Sequence, residues 1–197
     1  YRGVCRFTQV TPAWPMTVQQ LSGTLPSPVS SPLQFGFWSE LPRPFFVLAP
    51  MSAVTDAAFR RVIARCGRPD VTWTEFVSAD GLCSPGRARM MHDFWYTEAE
   101  RPIVAQLFGA RPQKFREAAK LVRELGFDGI DINMGCPARE VERRCAGAAL
   151  IKDFELAKSV IEATKDGAGD LPVSVKTRIG YSTNKIDEWL AALIDAE

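Results

Sequence analysis

Short apolar or β-branched runs recur along the chain at 45–49 (FFVLA), 71–76 (VTWTEF), 102–107 (PIVAQL), 129–134 (GIDINM) and 172–176 (PVSVK). Helical patterns fill the gaps between them. Phe59, Val62, Ile63 and Cys66 fall at i, i+3, i+4 and i+7, opened by Thr55-Asp56 and closed by Gly67. This spacing predicts a helix with those four residues on its buried face. Phe115, Ala118, Ala119 and Val122 repeat the pattern between Pro112 and Gly126. A third helix is expected over roughly 153–165 through Phe154, Ala157, Val160 and Ile161, and a fourth uses Ile186, Trp189, Leu190 and Leu193. The five strand runs are apolar almost throughout, as strands are when both faces are covered.

Strands alternating with helices imply βαβ units and a parallel sheet. An open doubly wound sheet and a (β/α)8 barrel both satisfy that rhythm. No GxGxxG follows the first strand, which disfavours a dinucleotide-binding open sheet. Polar or ligand-capable residues gather instead at the C-terminal ends of successive strands: Met51, Glu75, Gln106, Asn133 and Lys176. In a barrel those ends share one mouth, where barrel active sites lie. The expected fold class is therefore α/β, of the (β/α)8 TIM-barrel type. Eight units take about 250 residues, so 197 residues accommodate about the first five βα units, and the chain reads as the N-terminal part of a larger protein.

Composition changes this picture at one end. Residues 1–44 carry seven of the fourteen prolines and only four charges, Arg2, Arg6, Glu40 and Arg43. They read as a poorly structured Pro/Ser/Thr-rich leader, with 45–197 as the partial barrel domain. The absence of an acidic residue before Glu40 leaves a mitochondrial address open beside the expected cytoplasmic one. A formal net charge of +1 marks no polybasic tail and no strong field for nucleic acid. No apolar run is long enough for a membrane span. The five cysteines contain no CxxC pair and no Cys/His cluster, which speaks against a disulfide scaffold or a metal site and for a reducing compartment. His92, the only histidine, reads as surface or structural.

Chemistry concentrates in Asp131-Ile132-Asn133-Met134-Gly135-Cys136-Pro137. Gly135 permits a sharp turn and Pro137 stiffens the exit, which presents Cys136 beyond the strand end. A thiol there serves as nucleophile or proton donor, or it is a small buried apolar group. Lys176 at the end of the fifth strand is a Schiff-base nucleophile, a cation facing an electron-rich cofactor, or a solvated lysine. Gln106 offers both a donor and an acceptor to the edge of a heterocycle, or caps a loop. Pro50, Met51 and Ser52 follow the first strand with free backbone groups, although Met51 also suits a core.

Six segments resemble the tRNA-dihydrouridine synthases: APMSAVTDAAFR (49–60), TEFVSADGL (74–82), AQLFG (105–109), GFDGIDINMGCPAREV (126–141), GAALI (147–151) and PVSVKTRIG (172–180). The resemblance covers about 45–181 in order and spacing. It implies an FMN-binding barrel that reduces chosen uridines of tRNA to 5,6-dihydrouridine, with NADPH as reductant. By position, Cys136 corresponds to the thiol that protonates uracil C5. Asn133 corresponds to a residue holding the uracil, Pro50, Met51, Ser52, Gln106 and Lys176 to flavin contacts, and Arg178 to a substrate or phosphate contact. Expected partners are tRNA alone, with no membrane or metal, on a monomer. Cys145 departs from the family, which usually has glycine there. Two other readings stand beside this one: an FMN barrel acting on a free pyrimidine, and a non-catalytic truncated barrel.

Overall fold

A computed structural model describes residues 35–196. Residues 1–34 of the expected leader lie outside that range. Six parallel strands form one sheet: β1 (Val47–Leu48), β2 (Val71–Trp73), β3 (Val77–Ser78), β4 (Ile103–Phe108), β5 (Gly129–Met134) and β6 (Val173–Thr177). Their order is β1-β2-β4-β5-β6, with β3 also on β4. The principal helices between them are α1 (Ala57–Gly67), α2 (Ala79–Leu82), α3 (Pro112–Glu124), α4 (Arg139–Glu142), α5 (Phe154–Ala168) and α6 (Ile186–Ile194). Sequential parallel strands with helices outside them form part of a (β/α)8-type barrel.

The second expected strand is broken. Thr72 and Trp73 pair with Ile103 and Val104, whereas Val77 and Ser78 pair with Leu107 and Phe108. Four steps along this strand thus match three along β4, so Thr74-Glu75-Phe76 contains one extra residue, a bulge. The bulge carries Glu75, whose carboxylate accepts the backbone N–H of Ala53 and so ties down the loop after β1. Ala53 sits there at φ +58°, a left-handed conformation.

β4 and β5 supply the centre of the core, with Ile103, Ala105, Leu107, Ile130 and Ile132 fully buried. α3 and α5 cover one face of them. Their approach is close enough that a Cβ on Gly167 would lie 2.2 Å from the Arg116 carbonyl oxygen. Asp56 and Asp153 cap α1 and α5 by accepting N–H groups of the first turn.

Two expectations need correction. Residues 36–40, assigned from composition to the leader, form a 3₁₀ turn. Phe37, Trp38 and Leu41 pack on the buried cluster of Val71, Trp73 and Val104, with Trp38 stacked on Phe37 and 5.7 Å from Trp73. A local aromatic motif outweighs the surrounding prolines. The apolar stripe of α1 is also not buried: Val62 is 58% exposed, Phe59 and Cys66 are exposed, and the buried residue of the helix is Arg60. β1 is an edge strand, Phe46 just before it is 71% exposed, and among the described residues nothing lies across that stripe.

Arg60 and Glu100 make a fully buried ion pair at 2.8 Å. Arg60 also donates to the carbonyls of Thr55 and Trp95, and Glu100 accepts from the backbone and hydroxyl of Thr97. The pair joins the start of α1 to the 95–100 segment, and no periodicity announces it.

Candidate active site

The strand register sets three polar side chains in a row. Gln106 on β4 lies opposite Asp131 on β5, which lies opposite Ser174 on β6. Residues two apart share a face, so Asn133 stands above Asp131, opposite Lys176. Gln106, Asp131 and Asn133 are buried while Lys176 is exposed, so the row descends from the strand ends into the sheet. Lys176 makes no ion pair among the described residues.

These side chains are linked. Gln106 Nε2 donates to Asp131 Oδ2 at 2.5 Å, and Ser174 Oγ donates to Asp131 Oδ1 at 2.7 Å. Asn133 Nδ2 donates to Gln106 Oε1 at 3.2 Å. Asn133 Oδ1 then accepts the backbone N–H groups of Gly135 and Cys136 at 3.1 and 2.9 Å. The Asn133 carboxamide therefore holds the loop that bears the thiol, with one further N–H left for other partners. Arg178 Nε donates to the Gly135 carbonyl at 2.6 Å, so this arginine also grips the loop.

Cys136 is half-buried, and its own carbonyl accepts the N–H of Ala148 at 2.9 Å. Gly147 makes that approach possible. It has φ +62°, and a Cβ there would lie 2.5 Å from the Cys136 oxygen. Cys145 is exposed at φ +57°, a conformation L side chains rarely adopt. Glycine would suit that position without strain, so the backbone explains a glycine there and not the cysteine this chain carries. Cys145→Gly should leave the fold intact and stabilise it by up to about 1 kcal/mol in urea denaturation; a clear loss of stability would show that the thiol makes a contact the turn needs.

Burial pushes the Asp131 carboxyl up to about 7, against the opposing pull of hydrogen bonds from Gln106 and Ser174 and the charge of Lys176. The folded chain then keeps a proton that the unfolded chain releases in the ordinary carboxylate range. Between those limits the folded state binds more protons, so this group lowers stability as pH rises towards 7. Unfolding free energies at the two ends of that interval should differ less in Asp131→Asn than in the wild type; an equal difference would contradict the shift.

Pro50, Met51 and Ser52 lie on the loop after β1, with Met51 and Ser52 exposed. Thr55 closes this loop: its hydroxyl accepts the Met51 N–H at 3.0 Å, and its own N–H bonds to the Met51 carbonyl. A cavity of about 340 Å³ opens beside it, lined among others by Ala53, Asp56, Glu75, His92 and Trp95. His92 lies 2.8 Å from Asp93 on an exposed segment and is remote in sequence from the Cys136 loop. Among the described residues no group of three or more His, Cys, Asp or Glu could hold a metal ion, and no helix is long and apolar enough to cross a membrane.

Sequence reasoning named Gln106, Asn133, Cys136, Lys176 and Arg178, which the fold brings together around one loop. It named Asp131 within the same stretch without giving it a role, and it overlooked Ser174. An acidic residue two positions before Asn133 in an otherwise apolar strand was the available signal, because the pair must share a face.

Parallel strands flanked by helices, with polar groups clustered at their C-terminal ends, define part of a (β/α)8 barrel with its site at those ends. The sequence model described as "Dihydrouridine synthase (Dus)" matches residues 47–195. The chain belongs to that family. A Staphylococcus aureus (strain COL) protein named "Probable tRNA-dihydrouridine synthase" is 49% identical over 154 residues, 78% of this chain and 46% of the relative. A Bacillus subtilis (strain 168) protein named "Probable tRNA-dihydrouridine synthase 2" is 50% identical over the same coverage. The chain thus spans about half the length of these relatives.

Proposed function

We propose that the intact protein reduces specific uridines of tRNA to 5,6-dihydrouridine, using FMN and NADPH, with Cys136 as the proton donor to uracil C5. The observation that carries this reading is the Cys136 loop. A half-buried thiol at the strand ends is held through Asn133 Oδ1, the Arg178 bond to Gly135 and the Ala148 bond to its own carbonyl. Protonation of a reacting carbon needs a group fixed in this way, because general-acid catalysis depends on geometry before acidity.

The residues present suit a flavin ring. Lys176 offers an exposed cation without an ion-pair partner among the described residues, suited to an anionic ring edge, while Met51 and Ser52 present an apolar and a polar surface on the loop after β1, at the other edge of the described sheet. Pro50 leaves its carbonyl free beside them, and Gln106 forms the buried floor. FMN, when bound and reduced, supplies the hydride for C6, and NADPH supplies its electrons. Asn133 orients the loop and keeps one N–H for the base, while Arg178 fixes Gly135 and presents the rest of its guanidinium to the substrate. Stacking hides C5 and C6 in a duplex, so a flipped or single-stranded uridine is the form such a site can use. Residues 45–197 carry these groups, in an intracellular and monomeric enzyme.

Nucleoside mass spectrometry tests the substrate. Incubation with FMN and NADPH should convert uridine to dihydrouridine in tRNA and leave free uracil unreduced. Reduction of free uracil with tRNA untouched would overturn the reading in favour of a free-pyrimidine reductase.

A further inference from the structure

The direction of every hydrogen bond between Asp131 and Cys136 is fixed by its two ends. At one end, two backbone N–H groups require an acceptor, so Asn133 must present Oδ1 to Gly135 and Cys136 and Nδ2 to Gln106. Gln106 must then accept at Oε1, which turns its Nε2 to Asp131. At the other end an ionised carboxylate only accepts, which is what this arrangement needs. We propose that Asp131 is a positioning residue for Cys136: its carboxylate aligns the Gln106 and Asn133 carboxamides, and its protonation releases the loop they hold. The proposal rests on the reading of Cys136 as the reacting thiol, but it concerns the loop's geometry and can be tested without turnover.

Ser174 Oγ donates to Asp131 Oδ1 at 2.7 Å and has only the Ile130 carbonyl, at 3.5 Å, as another acceptor, so Oδ1 stays an acceptor and the proton falls on Oδ2. There it would set an O–H against the Gln106 N–H across 2.5 Å, so Gln106 turns its oxygen to Asp131 and its amide to Asn133. Asn133 must then offer its oxygen to Gln106, and the N–H groups of Gly135 and Cys136 lose their acceptor. The groups that act on Asp131 are Gln106 from β4, Ser174 and Lys176 from β6, and Trp73 from β2. Lys176 is the charged one among them and favours the anion. The Trp73 indole N–H is buried and has no other partner among the described residues, so it too is available to the carboxylate. With the carboxyl held near 7, the relay changes state within the ordinary working range of pH.

The described cysteines allow a direct test. Alkylation by iodoacetamide is followed for each cysteine of the intact protein across pH by peptide mass spectrometry. Cys66 and Cys145 are exposed and serve as references, and Cys83, partly buried with its thiol pushed up to about 11, stays slow while the fold holds. After correction for thiol ionisation, Cys136 reactivity should fall as pH rises through about 7, as the loop is pinned. Asp131→Asn should abolish that inflection. Gln106→Met, which keeps the carboxyl group at 131 and cuts the relay, should abolish it too. An inflection that survives in Gln106→Met would show a through-space charge effect and overturn the proposal. Should either variant expose Cys83 by unfolding, the wild-type profile still decides: a single thiol ionisation without the second inflection contradicts the relay. Dihydrouridine formation is not read in this experiment, so its failure leaves the proposed function standing.

Discussion

Cys136→Ala is expected to retain flavin and tRNA while single-turnover reduction of uridine slows by about 10²–10⁴-fold, the usual contribution of a positioned general acid. The loop should survive the change, because its anchors are the Asn133 oxygen, the Arg178 guanidinium and the Ala148 N–H rather than the sulfur. The loss should therefore appear in the chemical step. Rapid mixing of reduced, flavin-loaded protein with tRNA reads that step from the return of flavin absorbance. Equal rates in variant and wild type would remove Cys136 from the mechanism, and loss of flavin would recast it as a structural residue.

Glu100→Ala should cost about 3–5 kcal/mol of folding stability, because it leaves the Arg60 guanidinium buried without its counter-charge. Both side chains are fully buried, and Arg60 cannot swing to water without abandoning the carbonyls of Thr55 and Trp95. Replacing both partners, Arg60→Met with Glu100→Leu, should cost less than the single change, since no uncompensated charge remains. Urea denaturation of the two variants checks this. A Glu100→Ala loss below about 1 kcal/mol would place the pair among weak surface bridges and contradict its role as the clamp between α1 and the 95–100 segment.

The sheet was legible because its strands are continuous apolar runs. The expected runs at 102–107 and 129–134 differ from β4 and β5 by no more than one residue at either end. The interruption at Thr74-Glu75-Phe76 was not, since a bulge keeps β-forming residues and alters only their count against the partner strand. The packing of Phe37 and Trp38 was masked by a window dominated by proline and serine. α1 shows the reverse error: its 3.6-residue period is real, but periodicity names a face without saying what covers it. At the site, Asn133, Gln106 and Lys176 are legible as polar residues at strand ends, and Cys136 from the Gly-Cys-Pro turn beyond one of them. The bonds joining them are not, because they depend on cross-strand register, and Gln106 and Asp131 lie 25 positions apart in the chain.

The proposed function stands on electron transfer at the strand ends of this barrel, through a flavin to a uridine in tRNA. An anaerobic visible spectrum of the intact protein, loaded with FMN and desalted, tests it most directly. A flavin band should be retained, bleached by NADPH and restored by tRNA. A colourless protein, or a bleached flavin that tRNA leaves bleached, would contradict it.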